Sequence, residues 1–155
     1  MSAVLPIVWL ARHGETAWSL SGQHTGLTDL PLTERGELNA QSLSRRLQGI
    51  TFAKVFTSPL KRATRTCELA GFGSEAETDR DLLEWNYGEY EGRSTNEIHE
   101  QSPDWHLFRD GCPGERHRIK SGTGPIVSWR AFATFQVTSW CFRAGIFSGS
   151  WPRAG

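Results

Sequence analysis

Arg12-His13-Gly14-Glu15-Thr16 stands directly behind the apolar run Leu5-Pro6-Ile7-Val8-Trp9-Leu10-Ala11. An apolar run closing in a polar cluster reads as a buried strand whose C-terminal end opens onto a site, the place where open α/β sheets bind ligands. An imidazole is largely uncharged at neutral pH and so can act as a nucleophile, while a guanidinium offers a fixed fork of donors that fits phosphate oxygens. His13 and Arg12 together point to phosphoryl transfer. For the triplet taken alone, a strand that merely ends in polar residues stays open as the alternative.

The elements that would position these groups are regular. Thr33 can N-cap a helix beginning at Glu34, with Ala40, Leu43, Leu47 and Ile50 at helical spacing and Gly49 near its end. Phe52 to Thr57 reads as a second buried strand. Ser58-Pro59 reads as N-cap and first-turn proline of a helix with Ala63, Thr66 and Ala70 on one face, stopped by Gly71. Strand, helix, strand, helix argues for a parallel sheet with helices on its faces. Ser94-Thr95-Asn96-Glu97 has the form of a capping box opening a short helix that Pro103 ends.

Two further segments follow the first motif. Thr57-Ser58-Pro59-Leu60-Lys61-Arg62-Ala63-Thr64-Arg65-Thr66 carries a strand end into a helix, and Leu82-Leu83-Glu84-Trp85-Asn86-Tyr87-Gly88-Glu89-Tyr90-Glu91-Gly92 sets carboxylates among aromatic residues. In order and spacing the three resemble the signature segments of the histidine phosphatase superfamily, the phosphoglycerate-mutase-like enzymes, through roughly the first three quarters of the chain. Ser19 to Thr33, with Gly22-Gln23-His24-Thr25-Gly26-Leu27-Thr28-Asp29-Leu30-Pro31-Leu32, looks most like the phosphatase branch that includes sedoheptulose-bisphosphatase-like enzymes. The resemblance implies a three-layer α/β fold, an open and mainly parallel sheet flanked by helices. Residues 1–115 would form a partial core and 116–155 a non-matching tail, leaving the fold incomplete at the C-terminus.

The resemblance also implies roles. Arg12 and Arg62 would clamp the transferring group, whose charge lies on three oxygens in a loose, in-line transition state. Arg62 would sit at a helix start, where free N–H groups also favour an anion. His13 would attack phosphorus to give a phosphohistidine, and Glu84 would protonate the leaving alcohol and then deprotonate water. That role asks for a raised pKa, which Leu82, Leu83, Trp85 and Tyr87 would supply. Ser19, Gln23, Thr25 and Gly26 would lie against the substrate, with simple turn residues as the alternative. Arg65, Glu15, Glu89 and Glu91 read as structural or solvated, and His24, His99, His106 and His117 as surface or packing residues. The expected substrate is a small phosphorylated metabolite of sugar-phosphate type. No histidine-carboxylate spacing suggests a metal, and the mechanism needs no cofactor. About twenty residues separate Gly92 from Asp110, a short cover that admits water and favours hydrolysis over mutase transfer. A phosphoglycerate mutase-type transfer and a defective phosphate-binding remnant are the competing alternatives.

Composition bounds the rest. A chain of 155 residues with 37% hydrophobic and 22% charged content is a single globular domain. Met1-Ser2-Ala3 lacks a basic n-region and the apolar run ends at Arg12, so no signal peptide, membrane span or membrane partner is expected and the location reads as cytoplasmic. Cys67, Cys112 and Cys141 fit reduced thiols. The formal net charge of zero conceals a division: all 17 acidic residues precede residue 116, whereas 116–155 holds six basic residues and three of the seven tryptophans. That tail has amino acids suited to nucleic acid but no module pattern, so no nucleic-acid partner is expected.

In the family that the motifs resemble, the segment after the counterpart of Gly114-Glu115 forms a helix and then a strand beside the first, ending in a second catalytic histidine. Here Trp129, Trp140 and Trp151 lie in a stretch without helical or strand period. Codons read one nucleotide earlier permit Gly-Asn-Val-Val-Val-Phe-Ser across Gln136 to Arg143, then Gly-His-Phe-Leu-Arg-Val-Leu-Ala through Pro152. A frameshifted, irregular tail is therefore expected, in a chain of low stability and low activity.

Overall fold

The computed structural model describes residues 7–114 and the backbone of a strand at 139–143. Four parallel strands form one sheet: β1 (Val8–Arg12), β2 (Lys54–Thr57), β3 (Ala76–Thr78) and β4 (Ser139–Arg143), in the order β1-β4-β2-β3. Strands close in sequence are thus split in space, β4 lying between β1 and β2. The register pairs Arg12 with Arg143 and Thr57 with Phe142, so all strand ends share one edge. The end of β1 brings Arg12 and the next residue His13, the segment after β2 brings Arg62, and that after β3 leads to Glu84.

The parallel sheet alternating with helices is as expected, and the differences are instructive. A strand sits in the tail expected to be irregular, because the facing edges of β1 and β2 hold backbone groups that need pairing. The other residues of 116–155, His117 among them, lie outside the described residues. The strand expected to be buried is largely exposed in its described part. Ala11 is buried, but Leu10 is 55% exposed and Trp9 39%, and both line an open cavity shared with α2 residues such as Leu43. Strand β3 was not expected at all, three residues giving no period to read.

Helix α1 (Ala17–Ser21) opens with a capping box between Thr16 and Ser19. Helix α2 (Glu34–Leu47) starts at the expected cap, the Thr33 side chain accepting from the Gly36 N–H at 3.0 Å. Helix α3 (Lys61–Leu69) begins later than Ser58-Pro59 suggests, with Leu60 as a cap that offers no side-chain bond. The distant Asp29 takes over, its carboxylate accepting from the Lys61 N–H at 2.6 Å. Ala63, Thr66 and Ala70 are buried as their spacing predicts, and Gly71, with φ of 96°, ends the element. Leu47, Phe52, Val55, Cys67 and Ala70 form the main core. Helices α4 (Thr95–Gln101), with the expected Ser94–Glu97 box, and α5 (Leu107–Asp110) belong to a second cluster of Tyr87, Ile98, Trp105 and Cys112.

Candidate active site

Where β1 ends, Gly14 can approach α2 because it has no side chain: a Cβ there would lie 2.3 Å from the Gly36 carbonyl oxygen. The Gly14 N–H donates to Thr66 Oγ1 at 3.0 Å, and that hydroxyl donates to the Arg62 carbonyl at 2.7 Å. The strand end is thereby fixed to α3. His13 Nδ1 lies 2.6 Å from the Gly14 carbonyl oxygen. A carbonyl only accepts, so the neutral ring carries its hydrogen on Nδ1 and keeps the Nε2 lone pair for chemistry. Burial above all, with the charges of Arg62 and Arg12, lowers the His13 pKa to about 4 against the opposing pull of the Gly14 bond. The imidazole is a free base at neutral pH.

His13 shares a cavity of about 60 Å³ with Arg12, Ser19, Gln23, His24, Thr25, Glu84 and Tyr87. A water needs roughly 10–15 Å³ of such space, so a small group fits and the rest of a substrate extends outward. Arg12 is exposed and makes no hydrogen bond to a described residue, which leaves its donors for an anion. Glu84 turns one oxygen to its neighbour, accepting from the Trp85 N–H at 3.1 Å.

Arg62, expected to clamp the transferring group directly, is fully buried and is not among the residues that line the cavity, because its guanidinium is drawn to backbone carbonyls. Nη1 donates to the Thr28 carbonyl at 2.8 Å and Nη2 to the Gly26 carbonyl at 2.7 Å, while Nε is buried without a partner. Two of its donor nitrogens hold the loop and one is unspent. Burial lowers its pKa, opposed by Glu84, Asp29 and Glu91.

The expected substrate contacts divide. Ser19 lines the cavity, but its hydroxyl is occupied in the capping box, accepting from the Thr16 N–H at 2.8 Å and donating to the Thr16 carbonyl at 3.0 Å. Gln23 lines it with its amide donating to the Gly92 carbonyl at 2.6 Å, and Thr25 Oγ1 makes a longer bond to the Gln23 carbonyl at 3.3 Å. Gly26 does not line it. Both its backbone groups are bonded, and a Cβ would meet the Trp85 carbonyl oxygen at 2.0 Å. Arg65 pairs with Glu37 and Glu68 on the surface.

His24 is the residue that the sequence did not mark. Its ring stacks on Tyr87 with centroids 4.7 Å apart, and Nε2 lies 3.2 Å from Thr95 Oγ1. It packs, as expected, yet it also lines the cavity. Burial lowers its pKa while Glu91 raises it. Tyr87 was marked only as a neighbour of Glu84, and it belongs to both the cavity and the second core cluster. No cluster of His, Cys, Asp or Glu suited to a metal occurs among the described residues.

A parallel α/β sheet thus brings an imidazole, a carboxylate and a guanidinium whose side chain has no hydrogen-bond partner among the described residues to one cavity beyond its strand ends. The chain belongs to the histidine phosphatase superfamily (branch 1), whose profile matches residues 8–133. An acid phosphatase of Mycobacterium tuberculosis is 42% identical over 106 residues, covering 67% of this chain and 52% of that protein. A sedoheptulose 1,7-bisphosphatase of Saccharomyces cerevisiae is 40% identical over 137 residues, covering 72% and 50%. The solved structure of an open reading frame from Mycobacterium tuberculosis matches with a TM-score of 0.71 and 30% identity, over 88% of this chain and 72% of that one. Relatives include phosphatases and phosphoglycerate mutases, and the chain spans about half the length of the curated relatives it matches. The family profile runs past the boundary at 115 expected from the sequence.

Proposed function

We propose that this chain is a phosphatase that hydrolyses phosphomonoesters of small, sugar-phosphate-type metabolites. The neutral His13, its Nε2 lone pair unspent beside Arg12 and Glu84, carries the proposal. Nε2 attacks phosphorus as the ester P–O bond breaks, and Glu84 gives its proton to the departing alkoxide. Water then attacks the phosphohistidine, its proton passes to Glu84, the P–N bond breaks and phosphate leaves. Arg12 meets the charge on the phosphoryl oxygens, and the buried Arg62 adds positive charge while holding the loop that carries the cavity wall. The mutase alternative is disfavoured by the residues after Gly92: α4 and α5 pack in the Tyr87 cluster and do not line the cavity, so water has access.

The proposal includes a low rate for the chain as written, since its tail offers His117 alone where relatives carry a second catalytic histidine. Losing one transition-state donor costs roughly 10²–10³ in rate. Cytoplasmic residence and the frameshifted tail belong to the same proposal. The test is phosphate release from a panel of phosphomonoesters, with trapping of the covalent intermediate. An acid-labile, base-stable phosphate on His13, absent in His13→Ala, is expected. Label on another residue, or undiminished turnover in that variant, rejects the mechanism. The gene read in the alternative frame should give faster turnover, and equal rates would reject the frameshift.

A further inference from the structure

We propose that Glu91 is a positioning residue whose carboxylate latches the Gly26–Thr28 loop onto Arg62 and so sets the affinity of the site for a phosphoryl group. The substrate class rests on the phosphatase proposal above; the latch itself rests on hydrogen bonds. Glu91 Oε1 accepts from the N–H of Gly26 at 2.7 Å and from the N–H of Thr28 at 2.9 Å. Arg62 takes the carbonyls of the same two residues. An anion thus holds the N–H groups of Gly26 and Thr28 and a cation their carbonyls, and Glu91 is one of three carboxylates, with Glu84 and Asp29, that favour the charged guanidinium.

The neighbouring bonds give the latch its reach. The His24 N–H donates to the Arg93 carbonyl and the Gly92 N–H to the His24 carbonyl, both at 2.9 Å, while the Gln23 amide bonds Gly92. Residues 23–28 are therefore fastened along 91–93, and they carry Gln23, His24 and Thr25 on the cavity wall. Gly26 is required at the crossing, because a Cβ would also lie 2.8 Å from Glu91 Oε2. Glu91 touches no reacting atom; it acts through Arg62 and the loop. Removing it leaves two N–H groups without their acceptor and Arg62 without one countercharge, so the guanidinium and the cavity wall lose their fixed relation.

The experiment compares the full chain with Glu91→Ala and Glu91→Gln by three readings: inorganic phosphate affinity, KM against kcat for a phosphomonoester, and backbone amide exchange at Gly26 and Thr28. Glu91→Ala should weaken phosphate binding and raise KM by about tenfold, with kcat changed less than about threefold, and both amides should exchange faster. Glu91→Gln keeps one carbonyl acceptor and should restore slow exchange and most of the affinity. Unchanged KM and phosphate affinity in Glu91→Ala would overturn the latch, as would a loss confined to kcat. Should the parent chain neither bind phosphate nor hydrolyse any ester, the phosphatase proposal fails. The latch is then decided by exchange: faster in Glu91→Ala and restored in Glu91→Gln supports it, and no change refutes it.

Discussion

Two local effects agree at His13: its bond to Gly14 fixes the tautomer, and burial keeps the ring neutral. If His13 is the nucleophile, it loses its lone pair only when protonated, so the acid limb of kcat/KM that it sets should lie near pH 4. A pH-rate profile whose acid limb lies near 6.5 would show a ring less buried than described. Glu84→Gln should slow esters with alkoxide-like leaving groups by about 10²–10⁴-fold and activated aryl phosphates far less; equal losses would make Glu84 structural. That Arg12, His13 and Glu84 share one cavity was legible because each sits in a short run with its own chemical signature. His24, Thr66 and Glu91 were not, since each acts through a partner far along the chain, as Thr66 does on Gly14.

Helices were legible where their signals are local. Thr33 and Ser94 each stand a few residues from the N–H group that they cap, and the structure uses both. The start of α3 was misplaced because its terminal charge comes from Asp29, a contact that no local pattern encodes. Strands β3 and β4 escaped notice for a related reason: a short strand is defined by its neighbours more than by its own residues. At this scale a close fit lies between the residues after β1 and α2. A Cβ on Gly36 would stand 2.1 Å from the Glu15 carbonyl oxygen, a backbone atom that cannot swing aside. Gly36→Ala should therefore cost about 1–3 kcal/mol by overpacking, and lower activity by shifting the His13 turn. Chemical denaturation and turnover measured together would check it, and a variant equal to the parent in both would refute the close fit.

For the molecule as a whole, burying a neutral histidine links folding to pH. Above pH 6.5 neither folded nor unfolded His13 holds the proton; between there and about pH 4 only the unfolded chain does. Stability should thus fall as pH drops through that window, by on the order of 3 kcal/mol from this group, and level off below it. Urea midpoints at pH 7 and pH 4 would show the loss, and His13→Asn should lessen it; the same loss in that variant would assign it elsewhere.

The sheet order has a consequence in time. Strand β1 leads to His13 and β2 to the buried Arg62, and both strands are complete by residue 57, yet β4 lies between them and begins at residue 139. During synthesis from the N-terminus the first two strands can form, but they cannot take their final separation until the late strand emerges to fill the gap. Until then both carry open edges that invite pairing with each other or with another chain. Assembly of the edge that carries Arg12 and His13 is therefore a late event in the making of this protein, gated by a strand that contributes none of the three motifs.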